Sequence, residues 1–426
     1  MRKKIFIIIA AALCLCGCGG SEGNGGAEND SNAVDMTLDT LLTKRLEDLV
    51  ARKVRMTDEQ LSICVYDLTC GEPLYSFRSG VPVAPASCLK MLTAIAALKY
   101  MGLDYRYRDS LYIKGEVQSG TLYGSVIVRT DDDPLFESFD GFAQALRDTG
   151  ISRIEGDIVY DIARSDTLKA HATAKSWDIP YHKVPLLLKG RQRIEQEWRQ
   201  QLAAKGIRFR PNEMFAGHRI ADNDPDTTPL LHRLAIDMAR NGATPLAGET
   251  HALTEVITPM LLHSSNIKAD ALYWHLRNVY GRLFEEDVLH AFLKYELGIP
   301  YATSRLVIND GSGLSPENRL TTDFLVQLMR YAYKEKAIFR YLIDEALPTP
   351  AGGERQGTLM GRMASGPCVG RIFCKTGTLV TIGGSGLTGY ALGKNNHWYA
   401  FSILNIDMPV ADAREFQDKF CRELVE

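Results

Sequence analysis

One α/β pattern in this chain is broken in two by a long stretch of different rhythm, and that break restricts the fold more than any other feature. Leu61 to Tyr66 is rich in β-formers, Asp67 to Pro73 supplies turn residues, and Leu74 to Phe77 reads as the returning strand. Ser87 then opens an apolar helical run through Met91, Leu92, Ile95 and Leu98 that stops at Gly102. The matching half lies near the end, where Ile372–Leu379, Gly386–Leu392 and Trp398–Ile406 alternate as strands before a helix from Val410 to Val425. Helical spacing also marks Leu38 to Val50, Leu253–Leu262, Ala269–Tyr280, Thr322–Tyr333 and Lys336–Glu345. Between the halves, Leu111 to Thr130 alternates around glycine turns and Ile154 to Tyr160 reads as one more strand. Helices are expected there within Gly141–Asp148 and Ile194–Ala204. The order is too mixed for a doubly wound parallel sheet. The expectation is an α/β fold of α+β type, with a mixed or antiparallel sheet flanked by helices. Residues 36–103 and 246–426 would form one unit, and 104–245 a β-rich insertion.

The first residues read as an export signal. Arg2, Lys3 and Lys4 precede an apolar run from Ile5 to Leu15, followed by small residues and cysteines. A bilayer span needs about 20 apolar residues, so this run is too short to cross. Leu15-Cys16-Gly17-Cys18 resembles a bacterial lipobox, which implies that residues 1–17 are removed and that Cys18 carries lipid. Residues 18–35, rich in Gly, Ser, Asn and acidic side chains, read as a flexible tether. Of nine cysteines, six follow the tether, and their spacings match neither a zinc site nor a disulfide framework. They are expected to be mostly buried thiols, and no metal and no cofactor is expected. With 24% charged residues, a net charge of −3 and no basic stripe, nothing points to nucleic acid.

Three short motifs carry chemistry. Ser87-Cys88-Leu89-Lys90 places a hydroxyl and an amine at i and i+3, on one face of a helix. A serine hydroxyl needs an adjacent base to attack, and lysine can be that base when burial or a neighbouring cation lowers its pKa. Alone the tetrad means little. About one or two such matches arise by chance in a chain this long, and Ser265-Asn266-Ile267-Lys268 is a second one. Ser264-Ser265-Asn266, viewed alone, is a polar junction between two helices. Lys375-Thr376-Gly377-Thr378, viewed alone, is an exposed edge strand, with a glycine hinting at close approach of another chain. Together and in this order, the three match the SxxK, SDN and KTG set of penicillin-binding proteins and class A β-lactamases.

On these motifs the sequence resembles the class C low-molecular-mass penicillin-binding proteins, the D-alanyl-D-alanine carboxypeptidase/endopeptidases. Further matches are Ala269-Asp270, Asp310-Gly311-Ser312-Gly313-Leu314-Ser315 and Gly357-Thr358-Leu359. The resemblance spans about residues 60–426 and implies a serine β-lactamase/transpeptidase-like domain. It implies that Ser87 attacks the carbonyl between two D-alanines, that Lys90 takes its proton and that Ser264 relays a proton to the leaving amine. Asn266 would hold the substrate amide or Lys90. Lys375 would supply positive charge for the terminal carboxylate and depress the Lys90 pKa. Thr376, Gly377 and Thr378 would bind substrate, with the N–H groups of Ser87 and Thr378 forming an oxyanion hole. Implied partners are peptidoglycan stem peptides, β-lactams as covalent inhibitors, and a membrane reached through the lipid, on the periplasmic side of the cell envelope.

Two departures from the family stand out. Ser265 occupies the middle of SxN where Asp is common, and the stretch between Ser87 and Ser264 is short for members with two inserted subdomains. The second bears on substrate preference more than on catalysis. A β-lactamase or esterase on the same core, or a non-turnover sensor or scaffold, would share these motifs. Asp131-Asp132-Asp133 reads as a solvated acidic turn rather than a calcium site, and His263 as a local hydrogen-bonding group. Gly383-Gly384-Ser385-Gly386 fails the nucleophile-elbow pattern at Leu387. Cys88 and Cys374 read as packing.

The lipobox generates the first prediction. Replacing Cys18 with Ser should abolish incorporation of labelled fatty acid and leave uncleaved precursor on a gel; continued labelling would remove the assignment.

Overall fold

The computed structural model describes residues 37–162, 167–174, 181–209, 213–215, 241–280, 284, 286–350 and 353–426. The expected signal, tether and Cys18 lie outside the described residues. Residues 36–426 form one compact unit built on two sheets.

The first sheet joins the two separated halves of the sequence. Its strands are β1 (Leu61–Asp67), β2 (Glu72–Phe77), β10 (Ile372–Leu379), β11 (Gly384–Leu392) and β12 (Trp398–Asn405), all antiparallel, in the order β10-β11-β12-β1-β2. Side chains alternate between its faces with a period of two. Ile63, Val65, Cys374, Leu387, Phe401 and Ile403 pack with α1 (Thr40–Ala51) and the C-terminal helix, Val410–Val425. Tyr390, Ala400 and Leu404 face the other way, into the larger core around α2 (Lys90–Met101).

The second sheet carries β3 (Arg106–Gln118), β4 (Thr121–Thr130), β5 (Arg153–Glu155), β6 (Ile158–Ile162), β7 (Arg208–Phe209), β8 (Glu213–Phe215) and β9 (Thr244–Ala252). It is mixed: β3 pairs antiparallel with β4 and β9, while β5 and β6 run parallel to β4. The helices α3 (Asp140–Asp148) and α4 (Arg191–Ala204) fill its core with Phe142, Leu146, Ile194 and Trp198. From β9 the chain enters α5 (Leu253–Leu262) and α6 (Asn266–Val279), then α7 (Val288–Tyr295), α8 (Thr322–Lys334) and α9 (Lys336–Tyr341); Val410–Val425 is α10. Among the described residues no helix is long and apolar enough to cross a membrane.

Two expectations fail here. Ile154 to Tyr160 is two strands rather than one, because the chain breaks at Gly156, where a Cβ would sit 2.1 Å from Gly124 O. Asp131–Asp133 is not a solvated turn, since Asp132 and Asp133 are 3% and 0% exposed. Asp133 Oδ2 meets His251 Nδ1 at 2.5 Å, and burial with Asp133 nearby pushes the Asp109 carboxyl up to about 9. Neighbouring strands and a histidine absorb charge that the run alone would give to water.

A glycine pair sets the height of the Ser87 turn above the first sheet. Gly377 and Gly386 are directly opposite each other on β10 and β11. A Cβ on Gly377 would lie 2.9 Å from Pro85 O and 3.2 Å from Cys88 Sγ, and one on Gly386 would lie 2.8 Å from Cys88 Sγ. The bare patch lets the turn Ala86–Leu89 rest on the sheet, and Cys88 Sγ donates to Lys375 O at 3.6 Å. Cys88 therefore packs as expected and also ties this turn to β10. Adding one methyl group to a tight contact costs about 1–3 kcal/mol. Gly386→Ala should thus lower stability by about that amount in denaturant titration. Wild-type stability of this variant would contradict the packing account.

Candidate active site

Ser87 lies in the turn of 3₁₀ helix Ala86–Leu89, immediately before α2 begins at Lys90. The turn is set by Ala86 at φ 48°, a left-handed conformation unusual for a residue with a Cβ. Across it, Gly313 (φ 78°) would place a Cβ 1.9 Å from Ala86 O, so only glycine permits this contact.

Lys90 is completely buried, and its amine has three oxygen neighbours. Nζ lies 2.9 Å from Ser87 Oγ, 2.7 Å from Asn266 Oδ1 and 2.6 Å from Ser312 O. Burial first, and the positive charge of Lys375 second, push its pKa from 10.5 down to about 7, although Asp270 and Asp310 pull the other way. Near neutrality much of the amine is therefore uncharged. A neutral amine has two N–H groups and one lone pair. With Asn266 Oδ1 and Ser312 O accepting the two N–H groups, the lone pair faces Ser87 Oγ.

The second SxxK match resolves differently. Ser265 is the N-cap of α6, its hydroxyl accepting from Lys268 N at 3.4 Å, so that match is a capping pattern. Ser264 stands just before it, half-buried, at φ 58° between α5 and α6. Asn266 opens α6, and Asp270, one turn on, shares its face. Asp270 is nearly buried; burial and the nearby Asp310 push its carboxyl up to about 7. His263 is exposed, and no hydrogen bond of its side chain is recorded among the described residues.

The carbonyl that holds Lys90 comes from a turn organised by Asp310. Its carboxylate accepts from Ser312 N, Gly313 N, Ser315 N and Asn318 Nδ2 at 2.6–3.2 Å. Thr93 Oγ1 of α2 donates to Gly311 O at 2.7 Å and locks this turn to the helix that carries Lys90. The motif is visible in the sequence, but the contact through the Ser312 carbonyl carries no side-chain signature.

Lys375, Thr376, Gly377 and Thr378 lie on β10, the edge of its sheet. Lys375 is fully buried, and its Nζ donates to Thr376 O at 2.7 Å; burial pushes its pKa down to about 8. Cys374 N donates outward to Pro348 O at 3.0 Å. By the two-residue period of a strand, the N–H groups of Thr376 and Thr378 point to that same outer edge. Thr376 Oγ1 donates to Thr358 Oγ1 at 2.7 Å, and Thr378 Oγ1 accepts from Arg414 Nη2 at 3.1 Å. Gly357 (φ 45°) brings Thr358 in by packing against Leu262 O. Arg414 lies in none of the sequence motifs, following Thr378 by two strands and just over one helix turn.

Two groups could hold a metal by proximity. Ligand atoms of Asp67, Cys70 and His397, and of Asp109, Glu249 and His251, each fall within 4.8 Å of one another. In both, the histidine already faces a carboxylate: His397 Nδ1 is 2.6 Å from Asp67 Oδ2, and His251 pairs with Asp133. Neither group includes a residue hydrogen-bonded to Ser87, Lys90 or Lys375.

Comparison with known proteins places the chain among similar sequences and folds. The model of the D-Ala-D-Ala carboxypeptidase 3 (S13) family matches residues 42–182 and 231–423. A D-alanyl-D-alanine carboxypeptidase from Actinomadura sp. (strain R39) is 26% identical over 424 residues, covering 80% of this chain and 77% of that protein. Penicillin binding protein 4 from Haemophilus influenzae, solved in complex with a novel β-lactam, superposes with a TM-score of 0.66 at 19% identity, covering 90% of this chain and 99% of that one. A predatory endopeptidase from Bdellovibrio bacteriovorus, solved with its immunity protein, gives 0.56 at 16% identity over 85% of this chain and 92% of that one. At these identities the solved structures establish the fold.

The lowered Lys90 pKa makes a pH prediction. Deprotonation supplies the base, so acylation of Ser87 should rise as pH increases through about 7 and level off above it. Lys375→Met removes one of the two influences that keep Lys90 low, so the inflection should move to higher pH. A stopped-flow pH profile with an activated ester checks both points; an inflection that stays in place in Lys375→Met would show that the two amines do not interact.

Proposed function

The chain belongs to the D-Ala-D-Ala carboxypeptidase 3 (S13) family, and on that premise we propose that Ser87 and Lys90 carry a serine-type D,D-peptidase reaction. The observation that carries the reading is the 2.9 Å contact between the Ser87 hydroxyl and a fully buried amine whose pKa is lowered to about 7. In the first step Lys90 Nζ takes the hydroxyl proton as Ser87 Oγ bonds to the carbonyl carbon between two D-alanines. The oxyanion is held by the N–H groups of Ser87 and Thr378, the latter on the open edge of β10. Collapse breaks the C–N bond, and a proton passes through Ser264 to the departing amine of D-alanine. Water then hydrolyses the ester and restores Ser87. Asn266 keeps Lys90 aligned throughout.

The open edge of β10 suits an extended peptide, which can add as a further strand through main-chain hydrogen bonds. Peptidoglycan stem peptides meet that description, and β-lactams would acylate Ser87 by the same route. Cleavage of cross-linked peptides is a second activity of this site. We assign residues 36–103 and 246–426 to the catalytic domain and 104–245 to an inserted domain, whose last strand runs on to Ala252. The insertion forms one wall of the groove. Export, with the chain tethered through lipid on Cys18, completes the reading.

A tagged penicillin and peptide mapping test the nucleophile. Labelling should fall on the Ser87 peptide, vanish in Ser87→Ala, slow in Ser264→Ala and persist in Ser265→Ala, whose hydroxyl only caps a helix. Mass spectrometry should show D-alanine release from pentapeptides together with some cleavage of cross-linked dimers. Labelling of Ser87→Ala at the wild-type level would overturn the nucleophile; stoichiometric labelling without turnover of either peptide would favour a sensor.

A further inference from the structure

A carboxypeptidase of this kind must recognise the carboxylate of the residue it releases, and Lys375 is poorly placed for that contact. Its side chain is fully buried, its Nζ is committed to Thr376 O at 2.7 Å, and it faces the Ser87 side of β10. A carboxylate arriving from water would have to be stripped of solvent to reach it.

An exposed cation lies on the other face of the same strand. Thr376 and Thr378 project opposite to Lys375, towards α10, and Arg414 on α10 donates from Nη2 to Thr378 Oγ1 at 3.1 Å. The acidic residues around Arg414 on this helix are already paired. Asp412 is 3.3 Å from Arg55, Glu415 is 2.6 Å from Lys419, and Asp418 is 2.6 Å from Arg362. Among the described residues no carboxylate pairs with Arg414, although its helix offers four; the fourth, Glu423, lies 3.6 Å from Arg45. Its guanidinium has five N–H donors, of which one is spent on Thr378. A threonine hydroxyl that accepts from a cation turns its own O–H outward, so Thr378 presents a donor beside the guanidinium.

We propose that Arg414 and the hydroxyl of Thr378 form the subsite for the carboxylate of the leaving residue, and that Lys375 acts on Lys90 rather than on that carboxylate. The inference rests on the D,D-peptidase reading above. A guanidinium suits this task because its planar fork can grip both carboxylate oxygens. Being exposed, it also tolerates a leaving residue extended by a branch, provided that residue keeps a carboxylate next to its amine. That accounts for one site acting on chain ends and on cross-links.

The test compares a pentapeptide ending in D-Ala-D-Ala with its C-terminal carboxamide. Wild-type protein should prefer the carboxylate by roughly 10- to 100-fold in kcat/KM, the range of a charge-assisted hydrogen bond. Arg414→Gln should erase most of that ratio, chiefly through KM, and Arg414→Lys should restore part of it. Lys375→Met should lower kcat on both peptides and keep the ratio. An undiminished ratio in Arg414→Gln, or its loss in Lys375→Met alone, would overturn the subsite while leaving the peptidase reading intact. Hydrolysis of neither peptide by wild-type protein would overturn both.

Discussion

A primary amine buried without a directly bonded carboxylate is costly, and the rest of the site is arranged around making that tolerable for Lys90. Each of its three oxygen neighbours comes from a different part of the chain. Ser87 stands in the turn before α2, Asn266 opens α6, and Ser312 offers a carbonyl from the turn held by Asp310. Fixing one nitrogen therefore fixes three segments relative to one another. The devices noted in the fold serve the same end. The glycine pair lets the Ser87 turn settle on the sheet, Gly313 lets it approach the Asp310 turn, and Thr93 ties that turn to α2. Loss of any of them would disturb the Ser87 turn or its contact with Lys90.

Burial of charge is also what tunes the chemistry. Two amines, Lys90 and Lys375, and two carboxyls, Asp270 and Asp310, are buried in this core. Were the carboxylates to dominate, Lys90 would stay an ammonium and could not accept a proton. Burial and Lys375 win, and the pKa comes down to about 7. Part of the reason lies in Asp310, whose oxygens are occupied by three backbone N–H groups and an amide rather than by an amine. Asp270 is itself pushed up to about 7, which weakens the negative field that Lys90 feels. Lys375 influences Lys90 through space, and a buried position suits that influence while it hinders docking of a solvated anion.

The parts legible in the sequence are those written in local patterns. Period-two alternation marked the strands at 372–406, and the i, i+3 spacing put Lys90 beside Ser87. The order of three motifs outweighed the chance occurrence of each, which is why the second SxxK match, a helix cap at Ser265, did not mislead. What was missed depends on register or on backbone atoms. The Ser312 carbonyl has no residue-type signature. Gly377 and Gly386 become a pair only when β10 and β11 are aligned, and Arg414 meets Thr378 only once α10 folds back on the sheet. Asp131–Asp133 misled because a run of acids is judged against water, whereas here His251 and two strands supply the surroundings.

Described residues within the proposed insertion also reach the segments around Lys90. Leu168, Val184 and Leu188 pack against Ile267 and Ala271 of α6, the helix that begins with Asn266, and Thr173 shares a hydrogen bond with Ser315 beside the Asp310 turn. Two of the three segments that hold Lys90 are thus contacted by this part of the chain, α6 at Leu168, Val184 and Leu188 and the Asp310 turn at Thr173. An insertion attached only through loops could be trimmed with changes in access alone. One that packs on α6 and on the Asp310 turn transmits its own stability to the Lys90 contacts. The insertion, expected from sequence to bear on preference more than on catalysis, also packs on the helix that opens with Asn266. The helix that presents Asn266 belongs to both, and selection acting on groove width acts on the alignment of the base as well.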